Sequence, residues 1–187
     1  MYKWLGVLAV LAFFIAMPIF SYNGLVQSKE DIATKEAVMD VQLKRRGDLI
    51  GNLVESVKGY AAHESELIQS VSASREKLAG AMSANEKAAA HEAVSGTLAR
   101  LVAIAESYPE LKADANFRQL SDELAGTENR ISVARVDYNN AVAAYNKKII
   151  SLPTKFLADF LGFEKSSYFS APETDKAPTK ITFGADK

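Results

Sequence analysis

From Leu120 to Ile149 the chain places Leu120, Leu124, Thr127, Ile131, Ala134, Tyr138, Ala141, Tyr145 and Ile149 at spacings of three and four. Such a seam, held over about four heptads, belongs to a helix buried along one stripe against other helices. It predicts a helix over residues 117–150. No stretch of period-two alternation long enough for a strand occurs elsewhere, so the fold class is all-α.

The rest of the chain supplies partners for that seam. Leu25, Ile32, Val38 and Val41 form a thin apolar stripe that predicts a helix over residues 25–46, after a turn at Tyr22, Asn23 and Gly24. Gly47 then reads as a turn with Asp48 as the N-cap of a second helix, residues 48–82. Its stripe is Leu49, Ile50, Leu53, Val54, Val57, Tyr60 and Ala61, with Glu64 at an apolar position before Leu67, Ile68, Val71 and Leu78. A third helix, residues 86–107, carries Val94, Leu98, Leu101 and Ala105 and stops at Tyr108 and Pro109, because the residue before proline is driven out of the helical region. Residues 110–116 form an irregular link. Pro153 interrupts the seam helix, and Thr154 caps a short helix holding Phe156, Leu157, Phe160 and Leu161.

At the other end, Trp4 to Phe20 contains no charge and is flanked by Tyr2, Lys3 and Tyr22. This predicts a transmembrane helix that contacts the lipid bilayer through residues 4–20. A cleavable signal peptide is the rival, but Phe14, Met17, Pro18 and Phe20 occupy the region where small residues should precede a cleavage site. A short basic start ahead of an early apolar run behaves as a signal anchor, which places the bundle outside the cytoplasm. The expected organisation is an N-terminal transmembrane anchor (1–21), an antiparallel bundle of long helices (22–170) and a disordered C-terminal tail (171–187), whose two prolines and small polar residues offer almost no packing signal.

Composition narrows the function. With 24% charged residues and a net charge of -1, no field draws the chain to nucleic acid. Without cysteine there is no disulfide, zinc-thiolate site or cysteine nucleophile. The two histidines, His63 and His91, each precede a glutamate, but neither has the second histidine at i+4 that a zincin helix needs. No nucleophile elbow or phosphate-cradling loop is present. No catalytic residue, metal, cofactor or small-molecule substrate is expected.

The polar residues that stand out are Arg45, Arg46, Asp48 and Glu64, together with Glu123, Glu128, Asn129, Arg135, Tyr138 and Asn139 on the seam helix. The first reading is a set of hydrogen bonds and ion pairs that fix helix register. The second is a groove for a partner protein. Lys44, Arg45 and Arg46 are a candidate contact to lipid headgroups. An enzyme or hard-metal site built on Glu64, Glu123 and Glu128 is the alternative in another class, and it requires those carboxylates to converge.

Several of these segments resemble the LemA family: Tyr22-Asn23 with Leu25-Val26; Arg45-Arg46 with Asp48-Leu49-Ile50; Val57-Lys58-Gly59-Tyr60-Ala61; Tyr108-Pro109; and Thr127-Glu128-Asn129 with Ala134-Arg135, Tyr138-Asn139 and Tyr145-Asn146. Gly51 departs from the proline usual after Asp-Leu-Ile. The resemblance implies a bacterial membrane protein with one amino-terminal span and a LemA-like four-helix bundle. It implies no established enzyme activity, and it connects the chain to envelope processes, magnetosome membrane formation among them. The combined expectation is a noncatalytic scaffold or adaptor at the bacterial inner membrane, acting as a homo-oligomer or through an envelope partner.

Overall fold

The structure, a computed structural model, describes residues 2–60 and 65–170. Among the described residues six helices follow in order: α1 (Tyr2–Lys58), α2 (Ser65–Gly80), α3 (Ala84–Ser107), α4 (Pro109–Ala113), α5 (Ala115–Ile150) and α6 (Thr154–Leu161). After α6 the chain is extended to Ser170. Among the described residues there is no strand.

One helix organises the rest. At about 1.5 Å per residue, the 57 residues of α1 extend about 85 Å. The expected turns at residues 22–24 and at Gly47 do not form, and Asp48 lies inside α1 rather than capping a second helix. The reason at Gly47 is a single inward stripe, Leu25, Ser28, Ile32, Met39, Leu43, Arg46, Ile50, Leu53 and Val57, that crosses the glycine without changing phase, every member buried. Gly47 faces Leu78 of α2, and burial on this scale overrides the roughly 1 kcal/mol that glycine costs a helix. The reversal expected at Gly47 comes instead between Lys58 and Ser65, through the turn at Gly59 and Tyr60.

Against α1 lies α5, antiparallel over its whole length. Lys148 reaches Ser28, Asp137 pairs with Lys35, Arg130 bonds Gln42 and Glu123 pairs with Arg45, so residue numbers fall along one helix as they rise along the other. From about Asp40 onward the hairpin of α2 and α3 joins them and makes four helices across. Ser83 and Glu86 form a reciprocal capping box at the start of α3, and a buried hydroxyl pair, Ser74 with Thr97 at 3.0 Å, ties α2 to α3. The link expected over residues 110–116 contains the single turn α4, with Pro109 at its start and Leu111 fully buried. Asp114 then caps α5 by accepting from the Phe117 amide.

Two cores result. A distal one unites Leu53, Val57, Val71, Val94, Leu101 and Leu124 of the four long helices with Leu111 of α4. A proximal one, nearer the uncharged run, unites Leu25, Met39, Tyr138, Val142, Tyr145, Ala158 and Phe169, with α6 and the extended segment supplying the last two. Leu78 packs against both.

Among the described residues no helix is long and apolar enough to cross a membrane. The side chains of Leu5, Val7, Ala9, Val10, Phe13 and Phe14, which carry much of the apolar character of the expected span, lie outside those described. Glu64 and the tail 171–187 are also outside the described residues.

Candidate functional site

The most concentrated polar chemistry lies where α1, α3 and α5 meet. Arg46 occupies the inward stripe of α1 between Leu43 and Ile50, and only 3% of it is exposed. A guanidinium forced into that position needs acceptors from each facing helix. It finds them in the ring Nε2 of His91, in Ser95 Oγ at 3.0 Å on α3, and in Glu128 on α5, whose Oε2 lies 2.8 Å from Nη1. The Glu128 contact is an ion pair by distance rather than a directed hydrogen bond, and Arg46 Nε has no hydrogen-bond partner among the described residues.

His91 is itself buried. Burial lowers its pKa, and the adjacent Arg46 guanidinium lowers it further, against the pull of Glu128 3.3 Å away. Held neutral, the ring keeps a lone pair at Nε2 and accepts from Arg46, which is the role the geometry assigns. Burial likewise lowers the pKa of Arg46, with Glu128 opposing. This is a charge-balanced lock, Arg46 against Glu128, that ties α1, α3 and α5 together.

A second cluster lies one turn toward the proximal end. Lys87 is mostly buried, and its Nζ meets Glu36 Oε1 and a carboxylate oxygen of Asp40, each at 2.8 Å. Burial alone would lower its pKa, but the hydrogen bonds and charges of Asp40 and Glu36 outweigh that and raise it.

The third group holds the extended segment. Asn139 donates to the Phe169 carbonyl and accepts from the Phe169 amide, and Asn146 does the same with Ser166, at 2.9 to 3.0 Å throughout. Tyr138 donates to the Ser167 carbonyl. Seven helical residues rise about 10.5 Å and three extended residues span about 10 Å, so two asparagines seven apart can grip two residues three apart. Phe169 is thereby pressed into the proximal core.

The polar set expected to act together is thus divided. Arg46 and Glu128 meet in the buried lock. Arg45 and Glu123 pair on its exposed flank. Tyr138 and Asn139 serve the extended segment. Asp48 and Asn129 are exposed, and Arg135 is half-buried with no ion-pair partner among the described residues. Of the trio expected to touch lipid headgroups, Arg46 is buried while Lys44 and Arg45 are exposed, and all three stand about 35 to 40 Å along α1 from Phe20. For the carboxylate alternative, Glu123 and Glu128 are each held by an arginine, and among the described residues no three His, Cys, Asp or Glu side chains gather as a metal site would require.

Sequence reasoning missed His91, Ser95, Lys87, Glu36, Asp40 and the clamp role of Asn146. A signal for the lock was present. His91 continues the stripe of α3 three residues ahead of Val94, as Arg46 continues that of α1, and a polar residue at an apolar stripe position needs a partner.

The family model of the LemA family matches residues 35–183, which include the lock, the Lys87 cluster and both asparagine clamps. Magnetosome protein MamQ 2 of Paramagnetospirillum magneticum is 28% identical over 200 residues, covering 93% of this chain and 73% of that protein. Magnetosome protein MamQ of Magnetospirillum gryphiswaldense is 27% identical over the same shares. Protein LemA of Metamycoplasma hominis is 25% identical over 177 residues, 89% of this chain and 80% of its own. Given a family model matched over most of its length, the chain belongs to the LemA family.

Proposed function

We propose that the chain is a noncatalytic scaffold of the bacterial cell envelope, anchored once in the inner membrane through residues 4–20, with its bundle on the extracytoplasmic side. The bundle binds an envelope partner or further copies of the chain and thereby organises the membrane around it. The observation that carries this reading is the continuity of α1: the uncharged stretch from Trp4 to Phe20 and the packed stripe from Leu25 to Val57 belong to one helix. The uncharged stretch rises about 25 Å, near the lower limit for a hydrocarbon core of about 30 Å, and α1 continues without a charge to Ser28, which makes up the difference. Relatives named as magnetosome proteins support a membrane setting.

Alkaline carbonate washing of membranes tests the anchor. The full chain is expected to stay in the pellet, and a variant with Leu8→Arg and Leu11→Arg to be released. Release of the unaltered chain overturns the anchor. Crosslinking in the washed membranes is expected to give species larger than the monomer, and monomer alone overturns the scaffold.

A further inference from the structure

Helix α6 buries one side and leaves two aromatic rings in the open. Ala158 is fully buried in the proximal core, with Thr154 and Leu157 half-buried beside it, whereas Phe156 is 72% and Phe160 86% exposed. Leu152, just before α6, is 70% exposed. The two phenylalanines are four apart and share one flank of the helix. The other flank carries Lys155 and Asp159, also four apart and paired at 2.7 Å. An exposed surface divided into an aromatic half and a charged half is the pattern of a helix lying in a membrane interface.

Position selects the occupant. Ala158 shares its core with Leu25, and Phe163, just after α6, meets Tyr22 edge to face with ring centroids 6.2 Å apart. The helix therefore sits at the end of the bundle where the uncharged run leaves it, and Leu25 is only about 7.5 Å along α1 from Phe20. Around that exit Ile15, Ile19 and Phe20 are exposed as well, so the rings of α6 continue an apolar surface that begins on α1. Gly162 makes the placement possible. Its φ of 73° ends α6 in a left-handed conformation and turns the chain back along α5 toward the asparagine clamps, which fixes α6 from both ends.

We propose that α6 is a second membrane contact, seated in the lipid interface through Phe156 and Phe160, which fixes the angle at which α1 meets the bilayer. This rests on the anchor reading above. Lys155 and Lys165 are balanced by Asp159 and Glu164, so the seating does not depend on anionic lipid.

The chain has no cysteine, so a single introduced one takes a spin label at a unique place. The full chain carrying Leu8→Cys, Phe156→Cys, Phe160→Cys or Val133→Cys, the last exposed on α5, is labelled and reconstituted into phosphatidylcholine vesicles. Accessibility to oxygen and to a water-soluble nickel chelate is then compared. Positions 156 and 160 are expected to favour oxygen at shallow depth, position 8 at greater depth, and position 133 to favour the chelate, with no change on adding phosphatidylglycerol. Labels at 156 and 160 in water with the label at 8 in lipid overturn the α6 contact and leave the anchor standing. All labels in water overturn both. Spin-spin broadening at 160 without lipid accessibility replaces the bilayer with a second copy and overturns the proposal.

Discussion

Arg46 is a cation at a position the packing reserves for an apolar side chain, and the neutral ring of His91 is what makes it tolerable. Protonating that ring removes an acceptor from Arg46 and sets two positive charges side by side. Because the folded pKa of His91 is depressed, its stabilising contribution is complete above the unfolded value of about 6.5 and is lost as pH falls below it toward the folded value. Chemical denaturation should therefore show stability falling between pH 7.5 and 5.5. His91→Leu should cost about 1–3 kcal/mol at pH 7.5 and flatten that dependence, since the acceptor for a charged donor is lost along with the titrating group. Equal pH slopes in the two proteins would remove the imidazole from the lock. Glu128 completes the balance from α5, so the three helices are brought to one axial level by one arginine.

At the scale of elements, α1 and the extended segment obey opposite rules. α1 is continuous because its stripe outweighs its glycines. A Cβ at Gly47 would lie 3.7 Å from Leu78 Cδ2, an ordinary contact, so Gly47→Ala should stabilise the fold by about 0.5–1 kcal/mol in urea denaturation. A destabilised variant would mean that the backbone turns there. Gly51 is a closer case, since the Arg75 guanidinium lies over it, 2.8 Å from where a Cβ would stand. The segment 162–170 has no regular structure of its own and depends on side chains of α5. Asn146→Ala leaves the Ser166 amide and carbonyl unpaired and should cost about 1–3 kcal/mol. Amide exchange should quicken at Ser166 and Phe169 while α2 is unchanged. Equal acceleration in α2 would show global loosening instead.

For the whole molecule, what could be read from sequence follows from how each part is stabilised. The seam of α5 is legible because Leu124, Ile131, Tyr145 and Ile149 are all buried on one face, and a face of that kind writes its period into the chain. The break between α1 and α2 was misplaced at Gly47 because glycine marks turns and weak helix positions alike, and only Leu78 across the interface distinguishes them. The lock was divided in the reading because Arg46, His91 and Glu128 are far apart in sequence and adjacent only after three helices assemble. The segment 162–170 carries no periodicity, since its bonds go to side chains on another element, so nothing local announces it. Mechanically, an uninterrupted α1 is a lever arm. From Phe20 to Lys58 it measures about 57 Å, so a tilt of about 10° imposed at its first turns sweeps the far end through about 10 Å. Without a joint along that length to absorb the rotation, the four-helix head must report the slope of whatever surface holds the other end.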